Sequence, residues 1–117
     1  MRTARAAVIL WTALLVCAAV IPADRVPLPA DSDLWAHGIG YGLHAFLTCL
    51  AVREGRPGIR AAVVAVGAAI ALGAATEVLQ GFVPGRQPSL ADVLADAIGG
   101  LVGAATGWSV IGRREDP

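Results

Sequence analysis

Charge is scarce in this chain. Only 15% of the 117 residues are charged, lysine is absent, and nine arginines balance nine acidic residues, so the formal net charge is +0. This composition excludes a typical nucleic-acid-binding protein, which carries a basic excess. It also excludes intrinsic disorder, which requires low hydrophobicity and high charge, because 56% of the residues are hydrophobic.

Cysteine is scarce too, and this limits the chemistry. Cys17 and Cys49 lie within apolar runs, far from any Cys or His at the spacing of a zinc site. Two cysteines make no disulfide framework, so we interpret both as small packing residues. No strand is predicted and no phosphate-binding glycine loop is present, so we expect no nucleotide, flavin, haem or other cofactor. The sequence alone does not assign a metal site.

Long apolar runs are the main feature of the sequence. The mean hydropathy of +0.68 exceeds what a soluble domain of this size normally buries, which indicates a membrane protein in contact with a lipid bilayer. We predict a single all-α domain over residues 1–117. It is a bundle of four transmembrane helices at about residues 6–21, 36–52, 61–78 and 91–111.

The first apolar run has an alternative interpretation. Arg2 and Arg5 followed by apolar residues and Pro22 are also typical of a secretory signal peptide. We favour a retained transmembrane helix because three further apolar runs follow it.

The arginines predict the orientation of the helices, because basic residues concentrate on the cytoplasmic side. With the N-terminus inside, seven of the nine arginines lie in the cytoplasm, including Arg56 in the hairpin between the second and third helices. Both termini are then cytoplasmic, in a multi-pass protein of the bacterial cytoplasmic membrane. Prolines occupy the two outer connections and favour extended structure there: Pro22, Pro27, Pro29, Pro84 and Pro88.

Three ionisable residues are predicted to lie in one layer of the membrane. His37 precedes Arg53 by 16 residues, Glu77 follows Arg60 by 17, and Asp96 precedes Arg113 by 17. At about 1.5 Å per residue, all three lie about 24–26 Å from the inner face. They should therefore share a polar layer near the outer surface.

Helical spacing also places polar and small residues on common helix faces. Glycines at four-residue intervals favour close helix packing. The faces comprise Asp33, His37, Tyr41, His44 and Thr48 on the second helix; Gly73, Glu77 and Gln80 on the third; and Asp92, Asp96, Gly99, Gly103 and Gly107 on the fourth.

Two of these residues have plain structural interpretations. Asp92 follows Ser89 by three residues. A structural role, with Ser89 as the N-cap and Asp92 in the first turn of the fourth helix, therefore explains Asp92 as well as a role in binding or catalysis does. His44 lies deeper in the membrane, where we expect it to hydrogen-bond to a neighbouring helix.

Three segments of this chain resemble the VanZ-like family of small bacterial membrane proteins. The resemblance covers roughly residues 6–111 and implies the same four-helix fold. The segment from Asp33 through His37 to Tyr41 is similar to the family's Asp-Lys-x-x-His-x-x-x-Tyr motif. The segment from Glu77 to Gln80 is similar to its Glu-x-x-Gln motif. The third match is to its Pro-x-Arg-x-x-Ser-x-x-Asp-x-x-x-Asn-x-x-Gly motif, through Pro84, Arg86, Ser89, Asp92, Asp96 and Gly99.

Two positions depart from the family pattern. Leu34 stands where a basic residue is usual, and Asp96 stands where asparagine is usual. The site is therefore more acidic than the family pattern implies. The family is named for an accessory protein of glycopeptide resistance, so the resemblance implies a cell-envelope role.

The favoured function is a non-enzymatic envelope protein that binds a lipid-linked or peptidoglycan-related molecule at the outer leaflet and influences glycopeptide susceptibility. Arg86 either grips a phosphate in two hydrogen bonds or forms a structural ion pair with Glu77 or Asp92. The candidate ligand-binding residues are Asp33, His37, Tyr41, Glu77, Gln80, Arg86, Ser89, Asp92 and Asp96.

Three alternatives remain open. In a membrane enzyme, His37 is a general base or metal ligand oriented by Asp33, while Glu77 and Asp96 supply acid or metal contacts. In an assembly role, the face of Gly99, Gly103 and Gly107 docks a second copy or another membrane protein. An ion pathway is the third alternative, although the inner half of the bundle is poor in polar residues.

Overall fold

A computed structural model describes residues 2–26, 33–53 and 58–115 of the chain, and four α-helices make up most of them. We label them α1 (Arg2–Ala19), α2 (Asp33–Val52), α3 (Ile59–Gln80) and α4 (Leu90–Glu115). No strand occurs in these three ranges. The predicted all-α fold with four helices is therefore confirmed, whereas the predictions for Pro27, Pro29 and Arg56 fall outside the described residues.

The helices differ from their predicted bounds at the ends. α1 starts at Arg2 and α4 runs on to Glu115, because helical hydrogen bonding continues past the point where the apolar run stops. α2 starts at Asp33, an acid in the first turn, where the helix dipole favours negative charge. α1 ends early, at Ala19, and a short 3₁₀ turn follows Pro22, because proline disfavours helical conformation in the residue before it.

α2 lies at the centre of the bundle and contacts α1, α3 and α4. Its closest partner is α4. A methyl group built on Gly103 would lie 2.7 Å from the carbonyl carbon of Gly42, and one on Gly99 would lie 2.8 Å from that of Gly38. Neither distance is sterically allowed, so the glycine face of α4 packs directly on α2 of the same chain.

Apolar side chains are arranged in the opposite way to those of a soluble protein. The buried apolar core consists mostly of small residues: Ala19, Ala45, Cys49, Ala61, Ala62, Ala65, Ala69 and Ala104, with the larger Tyr41 and Ile111. Large apolar residues point outward, and Trp35 is 75% and Ile39 69% exposed. Helices in lipid associate through small residues, because lipid tails cover large apolar side chains as well as a protein core does.

Three helices are long and apolar enough to cross a membrane, namely Arg2–Ala19, Ile59–Gln80 and Leu90–Arg113. α2 is 20 residues long but is outside this group. Its mean hydropathy is lowered by Asp33, by its two histidines and by its glycines, several of which lie against other helices. The structure therefore has the features of a membrane protein, and α2, the helix outside this group, lies at its centre.

Candidate functional site

Polar side chains from three helices meet near one end of the bundle. We call His37 of α2, Glu77 of α3, and Asp92 and Asp96 of α4 the polar cluster. Its shortest contact joins His37 Nδ1 to Asp96 Oδ1 at 2.7 Å. Asp96 is fully buried. An ionised carboxylate only accepts hydrogen bonds, so His37 donates through Nδ1 and its Nε2 is left with a lone pair.

The lone pair of His37 faces two further carboxylates. His37 Nε2 lies 3.8 Å from Asp92 Oδ2 and 4.0 Å from Glu77 Oε1. Both distances are too long for a direct hydrogen bond. The other ring nitrogen is held by Asp96, so the imidazole presents a fixed nitrogen to a small gap bounded by two acids.

Glu77 is held in place by the start of α4. Ser89 donates its backbone N–H to Glu77 Oε2 at 2.8 Å, and Asp92 donates its backbone N–H to Ser89 Oγ at 3.4 Å. Together these bonds resemble a capping box, with the glutamate coming from a neighbouring helix. Ser89 is the N-cap of α4, as its spacing from Asp92 suggested. Asp92 nevertheless directs its carboxylate at His37.

Close packing behind the cluster fixes Asp96. A methyl group built on Gly73 of α3 would lie 2.5 Å from Asp96 Oδ2 and 3.0 Å from Asp96 Cβ. Only glycine leaves room for this side chain. The buried carboxylate is thus held between α3 and the histidine of α2.

A second hydrogen-bonded chain joins α2 to α3 below the cluster. Thr76 donates its hydroxyl to the carbonyl oxygen of Gly73 at 3.0 Å, so Tyr41 is the donor in the short hydrogen bond between Tyr41 and Thr76. The ring of Tyr41 stacks on that of His37 with centroids 5.9 Å apart. Tyr41 therefore restricts the orientation of His37.

A cavity of about 380 Å³ opens beside the cluster between α1, α2 and the end of α3. We call it the side cavity. Its polar lining contains Asp33, His37, Tyr41, Gln80 and Arg86, and its apolar lining includes Leu15, Ala18, Ala19, Ile21, Val26 and Ala36.

Arg86 does not form the ion pair that the sequence offered as an alternative. It donates from Nε to the carbonyl oxygen of Ile21 at 3.1 Å and from Nη2 to that of Ala18 at 3.3 Å. These carbonyls belong to the end of α1 and the turn after it, where helices leave acceptors unsatisfied. The loop between α3 and α4 is thereby fastened to α1.

The structure divides the nine predicted site residues into groups. His37, Glu77, Asp92 and Asp96 form the polar cluster, and Ser89 supports it. Asp33, Gln80 and Arg86 line the side cavity instead, while Tyr41 lines it and stacks on His37.

Other predictions concerned residues away from the cluster. His44 bonds through Nε2 to Thr12 Oγ1 of α1 at 3.1 Å, which confirms the expected contact with a neighbouring helix. Gly107 lies against Cys49, where a methyl group would be 2.9 Å from Cys49 Cβ.

Sequence reasoning missed Thr76 and two residues of α1. Trp11 donates its indole N–H to the carbonyl oxygen of Gly40 at 2.8 Å, and Thr12 bonds His44. The signal for Thr76 was its position three residues after Gly73 and next to Glu77. Trp11 and Thr12 lie one after the other in an otherwise apolar run, which is a weaker signal.

Comparison with known proteins adds no relative. No protein-family model, no curated protein and no solved structure matches this chain.

Proposed function

We propose that this chain is a multi-pass protein of the bacterial cytoplasmic membrane that binds the polar head of a lipid-linked or cell-wall-related molecule in the side cavity. The observation that carries the proposal is the mixed lining of this cavity. Asp33, Gln80 and Arg86 provide polar groups, while Leu15 and Ile21 provide apolar surface. A site with both kinds of lining suits an amphipathic ligand.

Arg86 supplies the chemistry for an anionic head group. Two of its N–H groups are used by the carbonyl oxygens of Ala18 and Ile21. A guanidinium has five donors, so the remaining ones are available to a phosphate at the cavity. Its contacts with α1 also hold it in place before a ligand arrives, which lowers the entropic cost of binding.

The proposed topology places all four helices across the membrane with both termini in the cytoplasm. The arginine distribution supports this orientation. α2 crosses with the other three because it contacts each of them, and its partners cover much of its polar side. The polar cluster and the side cavity then lie toward the outer leaflet.

An influence on glycopeptide susceptibility belongs to the same proposal. It is supported by the resemblance to the VanZ-like family and by a cavity on the side where cell-wall precursors are used. Expression in a glycopeptide-susceptible host should raise the minimum inhibitory concentration, and the Ala36→Phe variant should not. An equal increase with both forms would contradict a role for the cavity.

Native mass spectrometry of protein extracted from its own membranes tests ligand binding. The informative variant is Ala36→Phe, which fills the side cavity without removing a hydrogen bond. Its matched control is Ala75→Phe, on an exposed part of α3. We expect a co-purified lipid or lipid-linked molecule with wild type and Ala75→Phe, and its loss with Ala36→Phe. The same lipid adducts on all three proteins would refute the proposal.

The assembly role loses its main support, because the face of Gly99 and Gly103 already packs on α2. An enzymatic role is the second candidate. It is favoured by the pair of Asp96 and His37, which leaves His37 Nε2 as an acceptor oriented by a carboxylate. If His37 is a general base, then turnover of a lipid-linked substrate by purified protein should be abolished in His37→Gln and retained in His44→Gln.

A further inference from the structure

We propose that His37 Nε2, Glu77 Oε1 and Asp92 Oδ2 form a binding site for one divalent transition-metal ion, with Zn²⁺ the preferred probe. The three ligand atoms come from three different helices and lie within 4.8 Å of one another. This site adjoins the side cavity, which His37 also lines, but the inference does not depend on a lipid ligand.

The spacing of the ligand atoms suits an ion between them. His37 Nε2 is 3.8 Å from Asp92 Oδ2 and 4.0 Å from Glu77 Oε1. A cation held at about 2.0–2.5 Å from each ligand requires ligand atoms about 3–4 Å apart. The two distances are too long for hydrogen bonds and near the upper end of this range. A small inward movement of the side chains would complete the coordination.

A buried atom without a partner points to the same place. Glu77 is 5% exposed, and its Oε1 makes no hydrogen bond in the described structure. A buried carboxylate oxygen left without a partner costs free energy, so native proteins rarely contain one. The other oxygen, Oε2, accepts the N–H of Ser89, which directs Oε1 toward His37. A metal ion provides the missing partner.

Supporting contacts set the ligands in the form that a metal requires. Histidine ligands normally donate their second ring N–H to a carboxylate, which fixes the tautomer and ring orientation. Asp96 does this for His37 at 2.7 Å. Packing against Gly73 prevents Asp96 from turning away. The arrangement thus contains three ligands and a buried group that orients the histidine.

The charge of the three proposed ligand groups also matches a dication. Glu77 and Asp92 bring two negative charges to a neutral imidazole nitrogen, and burial makes uncompensated charge costly. Arg86 hydrogen-bonds to the carbonyl oxygens of α1 and the turn after it and is not paired with Glu77 or Asp92 in the described structure. One divalent ion would neutralise both carboxylates.

The ligand set indicates the kind of metal. One imidazole nitrogen with two carboxylate oxygens suits zinc or manganese better than magnesium or calcium, which prefer oxygen ligands throughout. Three protein ligands leave at least one coordination position open for water or a small molecule, as in catalytic zinc sites.

The test is a metal titration of full-length protein in detergent after removal of the affinity tag and of bound metal by a chelator. Zn²⁺ binding is measured by competition with a chromophoric chelator. We expect one equivalent in wild type. His37→Gln, Glu77→Gln and Asp92→Asn should each weaken binding more than about 100-fold, and Asp96→Asn should weaken it about 10–100-fold, because Asp96 acts through His37.

The chain offers a matched control for each kind of ligand. His44→Gln removes the other histidine of α2, and Asp24→Asn removes an exposed acid in the turn after α1. Both should retain wild-type affinity. Absence of stoichiometric zinc in wild type would overturn the proposal. Equal affinity in Glu77→Gln and Asp24→Asn would also overturn it.

A measurement on wild type alone covers the case in which the variants fail to fold. Diethyl pyrocarbonate acylates a histidine at a ring nitrogen that has a free lone pair, and mass spectrometry locates the modified residue. One equivalent of Zn²⁺ should protect His37 at least 10-fold and leave the modification of His44 unchanged. Equal modification of His37 with and without Zn²⁺ would overturn the proposal, whereas the lipid-binding proposal would still stand.

Discussion

The two ends of this bundle are held together by different physical means. At the alanine-rich end, Ala45, Ala61, Ala65 and Ala69 are fully buried and bring the backbones close together. At the polar end, His37 and its carboxylate partners join three helices by directional contacts. The first end is closely packed because its side chains are small, while the second depends on particular polar groups. Substitutions that add atoms should therefore destabilise the first end, and substitutions that remove polar groups should destabilise the second.

The largest effect should come from adding one methyl group to the tightest helix contact. In Gly103→Ala the new carbon would lie 2.7 Å from the carbonyl carbon of Gly42, so the backbones of α2 and α4 must separate. We expect a loss of about 3 kcal/mol in the free energy of unfolding. Unfolding in detergent, followed by circular dichroism, measures it.

Gly67→Ala is the matched control for this substitution. Gly67 lies in α3, and no atom beyond its immediate neighbourhood lies within 4 Å of an added methyl group. The change should stabilise the protein by up to about 1 kcal/mol through helix propensity. Equal destabilisation by both changes would contradict the interpretation that Gly103 is needed for close packing of α2 on α4.

A smaller effect is expected where the two kinds of packing meet. In Gly73→Ala the added methyl group would lie 2.5 Å from Asp96 Oδ2 and displace the carboxylate that orients His37. We expect a loss of about 2 kcal/mol in the free energy of unfolding, because a buried acid moves out of a well-packed position.

The same variant links packing to the proposed metal site. Zinc affinity should fall in Gly73→Ala although no ligand has been changed, since the loss of a group that orients a ligand weakens metal binding about 10–100-fold. The titration described above measures the change. If a destabilised Gly73→Ala variant kept wild-type zinc affinity, the packing of Gly73 on Asp96 would contribute to the fold but not to the metal site.

The smallest effect should come from one hydroxyl group. Tyr41→Phe removes the hydrogen bond to Thr76 and keeps the ring that stacks on His37. We expect a loss of about 1 kcal/mol in thermal or chemical unfolding. Thr48→Val is the control, because Thr48 Oγ1 is buried without a hydrogen-bond partner in the described structure. It should be neutral or stabilising, and a loss as large as that of Tyr41→Phe would contradict the assigned bonds.

The same comparison shows how far the sequence alone could lead. The rise per residue in a helix is sufficient to predict that His37, Glu77 and Asp96 have similar heights, because height is a property of each helix taken by itself. Four apolar runs are likewise sufficient to predict four helices. The exact ends of the helices were less predictable, because Arg2 and Arg113 are helical although they lie outside the apolar runs.

The pairing of individual atoms depends on how the helices are rotated against each other, and periodicity within one helix does not determine this. Asp96 holds one nitrogen of His37 while Glu77 and Asp92 face the other. Arg86 was matched with acids on grounds of charge, but it bonds carbonyl oxygens of Ala18 and Ile21. Charge complementarity alone did not reveal these acceptors, because they are backbone groups that every sequence carries.

The contact between Arg86 and α1 has a consequence for the order in which the protein is completed. Arg86 follows Ile21 by 65 residues. At about 5–20 residues per second, the ribosome adds this arginine several seconds after the carbonyl oxygens that it binds. Trp11 and Thr12 meet their partners on α2 earlier, since α2 is made next. The end of α1 is therefore closed only after α2 and α3 have been made, although α1 precedes both of them in the chain.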